Sequence, residues 1–136
     1  MPTPIPEPIL EALIEAAHRA RQNAHAPYSQ YLVGAAVWAN QQIFAGCNVE
    51  NAAYPVGICA ERGALAAAVA HGATAIDALV IVAQDAASPC GMCRQAIAEF
   101  GPRIPVCLVS ATDGTRIHTD MGTLLPMQFS LSTAPP

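Results

Sequence analysis

Four residues of this sequence can do chemistry together: Cys59 and Glu61 in "CAERG", and Cys90 and Cys93 in "PCGMC". A single Cys-x-x-Cys pair is weak evidence for a metal, because a structural zinc site usually takes four protein ligands, often as two such pairs. Here one further thiol is well placed, Cys59, thirty-one residues before Cys90. Three thiolates leave one coordination position open, and an open position separates a catalytic zinc from a structural one. The expected cofactor is one zinc ion (Zn2+) per subunit, chosen on ligand softness, which admits other thiophilic ions. Glu61, two residues after a ligand, is then the proton shuttle, a flexible carboxylate that takes a proton from the activated water and delivers it later in the reaction.

These side chains need elements that aim them at one point. Cys59 follows "PVGI" and Cys90 follows Pro89, a residue favoured near a helix start. Both ligand groups are therefore expected where helices begin, over 59–72 and 90–100, and helix N-termini lower thiol pKa values and stabilise anions. Cys90 and Cys93 share one helix face. Three thiolates on a dication carry a net charge near −1, which opposes making a bound water acidic. Arg62 and Arg94 directly follow the ligand-bearing stretches and are the candidates to donate hydrogen bonds to sulfur.

Elsewhere, Ile9, Leu13, Ala16, Ala17 and Ala20 recur at helical spacing up to about residue 23. "VGAAVWA" and "QIFAGCNV" predict strands over 33–39 and 43–48, joined by "NQQ", a weak hairpin signal without glycine. "ENAAYPVGI" reads as a loop, "ALVIVA" and "PVCLVS" as strands covered on both faces, "GTRIHT" as a weaker strand, and "MGTLLPMQF" as a short helical turn. The order α-β-β-α-β-α-β-β predicts an α/β fold, a three-layer α/β/α sandwich around a mixed, five-stranded sheet. Its 136 residues suit one domain, with 1–8 and 130–136 loose.

Only 12% of residues are charged, a low share for a free monomer, which points to surface buried against other subunits. All six basic residues are arginines and the net charge is −4, so there is no electrostatic footprint for nucleic acid. A small neutral or cationic molecule is the expected partner. "MPTPIPEPIL" lacks the basic region and long apolar core of a secretory signal, so the expected location is cytoplasmic, with reduced thiols and no disulfide framework. The apolar stretch 64–83 is interrupted by His71, Gly72 and Asp77, which argues against a membrane span.

A ligand-x-Glu followed by Pro-Cys-x-x-Cys is the pattern of zinc deaminases, here with cysteine as the first ligand in place of histidine. With "PYSQYLVGAAV", "GCNVENAAYPVGICAER", "SPCGMCRQAIAEFG" and "LLPMQF", the chain resembles the small homotetrameric cytidine deaminases of pyrimidine salvage from residue 27 to 129. The resemblance implies hydrolytic deamination of cytidine, and of 2′-deoxycytidine, to uridine and 2′-deoxyuridine with release of ammonia. It implies zinc on Cys59, Cys90 and Cys93, and Glu61 as the group that protonates N3 and passes a proton to the departing ammonia. Asn48 and Glu50 of "NVEN" would bond the ribose hydroxyl, and the backbone of Ala60 and Ser88 would grip the base edge. Arg62 would temper the thiolate charge, and Phe129 would reach into a neighbouring subunit's pocket.

Two positions depart from the family's usual residues. Tyr31 stands where phenylalanine is common, and adds a polar group that needs a partner. Gly63 stands where threonine is common, inside a helix it weakens by roughly 1 kcal/mol relative to alanine; close packing at a subunit contact is one reason for it. Other readings remain beside these. Asn48 and Glu50 also suit the work of satisfying loop backbone, Arg94 suits pairing with a carboxylate, and Phe129 suits packing on its own domain. Cys47 and Cys107 lie in strand-like runs and read as core, while His18, His25, His71 and His118 have no metal-like spacing. Rival functions are deamination of another aminopyrimidine such as blasticidin S, of polynucleotides, or a non-catalytic zinc-stabilised module, against which Glu61 argues.

Overall fold

The computed structural model of the protein describes residues 3–131. Five strands, β1 (Gly34–Ala39), β2 (Gln42–Cys47), β3 (Ala78–Ala83), β4 (Pro105–Ser110) and β5 (Arg116–Asp120), form one sheet in the order β2-β1-β3-β4-β5. Only β3 and β4 run parallel, and the α-helix between them, α3 (Gly91–Ala98), provides the crossover that a parallel pair requires. The other helices are α1 (Glu7–Gln22), α2 (Ala60–Ala70) and the short α4 (Met121–Leu124).

Alternation along the inner strands sends side chains into two cores. Val37, Leu79, Ile81, Val106 and Leu108 face α2 and α3, while Ala36, Val80, Val82, Cys107 and Val109 face Leu10, Leu13 and Ala17 of α1. Both faces of the sheet are thus covered, which is why "ALVIVA" and "PVCLVS" are continuously apolar. The three-layer α/β/α arrangement is the one expected from the sequence.

The β1–β2 hairpin forms without glycine because Asn40 (φ 51°) and Gln41 (φ 59°) both take the left-handed conformation a two-residue type I′ turn demands. The expectation for the N-terminus was too loose. Ile5 is buried in the α1 core and the helix already starts at Glu7, with prolines in positions a helix start accepts. Ser130 and Leu131 carry no regular structure, and the remainder of the expected loose ends, residues 1–2 and 132–136, lies outside the described residues.

One close approach sets the site's geometry. A Cβ on Gly46 of β2 would fall 2.4 Å from Ala64 N and 2.6 Å from Ala60 O, so the absence of a side chain lets the first turns of α2 rest on the strand backbone. Gly63 does not serve that purpose, because a Cβ there would meet Gly46 and Cys47 only at 3.6 to 4.0 Å, ordinary contact.

Candidate active site

Cys59 and Cys90 each occupy the N-cap of a helix, α2 and α3 respectively, in extended backbone conformation and without a side-chain capping bond. The helices begin one residue later than the sequence alone suggested. Serine, threonine or aspartate is usual at an N-cap; a sulfur there sits beside the free N–H groups of the first turn, an environment that favours negative charge. Cys93, one turn into α3, is fully buried. The three Sγ atoms lie within 4.8 Å of one another, with Cys59 and Cys90 at 3.8 Å. A tetrahedron with zinc–sulfur arms of about 2.3 Å has edges of about 3.8 Å, so the trio is spaced to hold one ion.

The donor chemistry fits as well. The thiol of Cys59 is drawn down to about 5, first by a hydrogen bond from Cys93 and then by Arg62, whose Nη2 donates to Cys59 Sγ at 3.6 Å. Cys93 is pushed up, because its proton is engaged by Cys59 and it is buried. Among the described residues Arg62 Nε is buried with no hydrogen-bond partner, a donor left over beside sulfurs that become acceptors as thiolates. Arg94 does not join it. Its guanidinium donates to Pro89 O (2.8 Å), Leu124 O (2.8 Å) and Ser88 Oγ (3.0 Å), so the expected sulfur contact is replaced by a brace between the loop carrying Cys90 and the end of α4. Its reach is set by the carbonyls that the end of helix α4 and the loop leave unpaired.

Glu61, the second residue of α2, is only 4% exposed, and burial, then the charge of Cys59, raises its carboxyl above the usual range. It lines a cavity of about 800 Å³ with Cys59, Cys90, Ala60, Arg62 and Ser88, and with Tyr31, Asn48 and Glu50. A carboxyl raised by burial at the wall of such a cavity is a candidate to exchange protons with a bound molecule.

Asn48 and Glu50 both carry out the backbone work that was the alternative to ligand binding. Asn48 Oδ1 accepts from Val33 N (2.9 Å) and its Nδ2 donates to Tyr31 O (2.8 Å), while Glu50 accepts from Tyr28 N, Ser29 N and Ser29 Oγ. These bonds lower the Glu50 carboxyl, the Ser29 hydroxyl most. The stretch itself is pinned by Val49 pairing with Ile58, Val49 N to Ile58 O at 3.0 Å and the reciprocal bond at 3.0 Å. The two residues therefore both line the cavity and hold its rim.

Phe129 is 68% exposed and does not line the cavity of its own chain; its carbonyl accepts from Gln95 Nε2 at 3.0 Å. Cys107 is core and Cys47 half-buried, and neither joins the thiol group. Two residues that hold side chains of the site escaped the sequence reading: Ser29, which holds Glu50, and Asp85, which accepts a hydrogen bond from Tyr31. Ser29 lies within the quoted "PYSQY"; nothing local marks Asp85.

Three thiols and a buried carboxyl brought to one cavity by two helix starts, over a mixed five-stranded sheet, define the class of zinc-dependent deaminases. The family model for the cytidine and deoxycytidylate deaminase zinc-binding region matches residues 8–109. A cytidine deaminase of Sporosarcina psychrophila is 44% identical, over 89% of this chain and 91% of its own. In the crystal structure of cytidine deaminase from Burkholderia pseudomallei the likeness reaches a TM-score of 0.83 at 45% identity, covering 88% of this chain and 98% of that one. The Mycobacterium tuberculosis cytidine deaminase structure follows with 0.76 at 32% identity, covering 90% and 98%.

The chain belongs to the cytidine deaminase family. It is an enzyme of the hydrolytic deaminase type, with a site for one zinc ion at Cys59, Cys90 and Cys93. Among the described residues no helix is long and apolar enough to cross a membrane.

Proposed function

We propose that this chain hydrolyses cytidine, and 2′-deoxycytidine as well, to uridine and 2′-deoxyuridine with release of ammonia. The observation that carries the reading is Glu61, buried against three clustered thiols at the wall of a cavity large enough for a nucleoside. When bound, zinc supplies Lewis acidity that makes water a nucleophile at neutral pH.

Glu61 accepts one proton of the attacking water as the water's oxygen bonds C4 and gives that proton to N3 of the pyrimidine. It then takes the second proton from the new C4 hydroxyl and gives it to the amine, so that the C4–N bond breaks and ammonia leaves. Burial raises its carboxyl, which favours the protonated form Glu61 takes once it has accepted the water's proton. Arg62, beside Cys59, offsets part of the negative charge of the sulfurs. The remaining lone pair of Asn48 Oδ1 and the carboxylate of Glu50, already oriented by their backbone bonds, face the ribose hydroxyl. Ala60 and Ser88 offer backbone groups to the base edge, and Arg94 keeps Ser88 in register.

The whole chain is read as one domain, acting on free nucleosides in the cytoplasm within pyrimidine salvage, without nucleic acid as substrate. A homotetramer completes the site, Phe129 of one subunit reaching the cavity of the next. Support comes from its exposure and from that of Tyr28, Tyr54 and Met92 around the cavity, apolar surface a free monomer would leave in water.

The experiment is cytidine consumption and ammonia release by zinc-loaded protein against Glu61→Gln at equal zinc content. Turnover by the wild type, with a loss of several orders of magnitude in the variant, is the expected result. Zinc-loaded wild type inert toward both nucleosides would sink the reading.

A further inference from the structure

Tyr31 and Asp85 are neighbours because of the sheet. Strands β1 and β3 are antiparallel with Gly34 opposite Val82, so the loop entering β1 and the loop leaving β3 emerge side by side. Tyr31 lies just before β1 and Asp85 just after β3. The phenol hydroxyl donates to Asp85 Oδ1 at 2.5 Å. The backbone of Tyr31 is held on both sides, its N–H donating to Ser29 Oγ at 3.0 Å and its carbonyl accepting from Asn48 Nδ2 at 2.8 Å.

Each end of this contact adjoins a residue with left-handed backbone: Gln30 at φ 57° and Ala86 at φ 53°. Such conformations cost free energy in residues with a side chain, and persist where the surroundings over-determine them. Both loops belong to the cavity, since Tyr31 lines it from one and Ala87, Ser88 and Cys90 from the other.

We propose that the Tyr31–Asp85 hydrogen bond is a positioning contact for substrate, one that straps the loop bearing Ser88 and Cys90 to the loop entering β1 and holds the Tyr31 ring as a fixed wall of the cavity. The inference rests on the nucleoside-deaminase reading. The hydroxyl has one proton, and Asp85 takes it, so toward the cavity the oxygen offers only lone pairs. Burial and then Asp85 push this phenol up to about 12, in keeping with a proton that is held. Tyr31 and Asp85 act through the loops they join, and neither carries the proton transfer.

The test compares Tyr31→Phe, Asp85→Ala, the double variant and Asp85→Asn, which keeps an acceptor oxygen, in steady-state kinetics on cytidine at equal zinc content. KM should rise about fivefold in each of the first two, the worth of one net hydrogen bond, with kcat within about twofold. The double variant should be no worse than either single one, and Asp85→Asn should recover most of the loss. Active variants with unchanged KM, additive losses in the double variant, or no recovery in Asp85→Asn would overturn the proposal alone. Wild type inert toward cytidine would overturn the functional reading and this proposal with it. Ultraviolet titration of the phenol, which needs no substrate, should move from about 12 toward the ordinary tyrosine range in Asp85→Ala; no movement also overturns it.

Discussion

Arg62 Nη2 lies 3.6 Å from Cys59 Sγ, three residues along the chain, while Nε of the same guanidinium is buried without a partner among the described residues. One arginine thus meets the cluster with a donor in use and another in reserve. Replacing it by glutamine removes positive charge next to sulfurs that must be anionic. Arg62→Gln should weaken zinc binding by about 10- to 100-fold, read by competition with a chromophoric chelator. Undiminished affinity would show that the guanidinium serves packing only.

Glu61 should cost the metal-free fold stability at neutral pH. Its pKa is raised on folding, so its favourable contribution is complete below the unfolded carboxyl range and is lost as pH rises through the folded value. Metal-free Glu61→Gln should therefore melt at a higher temperature than metal-free wild type at pH 7, with the gap closing below about pH 4.5. Equal melting temperatures across that range would contradict the burial argument.

Removing zinc should expose a reactive thiol. With its pKa drawn down to about 5, Cys59 should be alkylated by iodoacetamide in chelator-treated protein with a midpoint near pH 5, located by peptide mass spectrometry. The sign for stability is opposite to that of Glu61. A lowered thiol stabilises the metal-free fold above the ordinary thiol range, and that contribution disappears as pH falls through about 5. Added zinc should block the alkylation; labelling that ignores zinc would argue against Cys59 as a ligand.

The glycines at 46 and 63 should respond oppositely to alanine. Gly46→Ala drives a Cβ into the backbone of α2 and should destabilise by about 1–3 kcal/mol or more, with loss of zinc as the helix start shifts. Gly63→Ala places a Cβ in ordinary contact within a helix and should stabilise by about 0.4–1 kcal/mol in urea unfolding. Destabilisation by Gly63→Ala would reveal a contact outside the chain, as a tight subunit interface would make.

Much of the site was legible before any coordinates, because its chemistry is carried by rare residue types at short spacing. Cys90 and Cys93 lie three residues apart, so local geometry already brings that pair together, and Glu61 falls in the first turn of the helix that Cys59 caps. The continuous apolar runs "ALVIVA" and "PVCLVS" likewise announced inner strands, since a strand covered on both faces has no polar side to show. The hairpin at Asn40 and Gln41 was harder to see, because its left-handed residues are not the glycines that usually signal one.

Sequence by itself thus determined the donor set, the carboxylate beside it and the order of helices and strands, all properties of residue type and of spacing within a turn or a strand. Tertiary structure alone decided that Arg62 turns to sulfur while Arg94 turns to carbonyls, and that Asp85 meets Tyr31 fifty-four residues away. The reason is physical. Partner choice for a long or exposed polar side chain depends on which unpaired groups the sheet register and the helix ends bring within reach, and no local pattern encodes that.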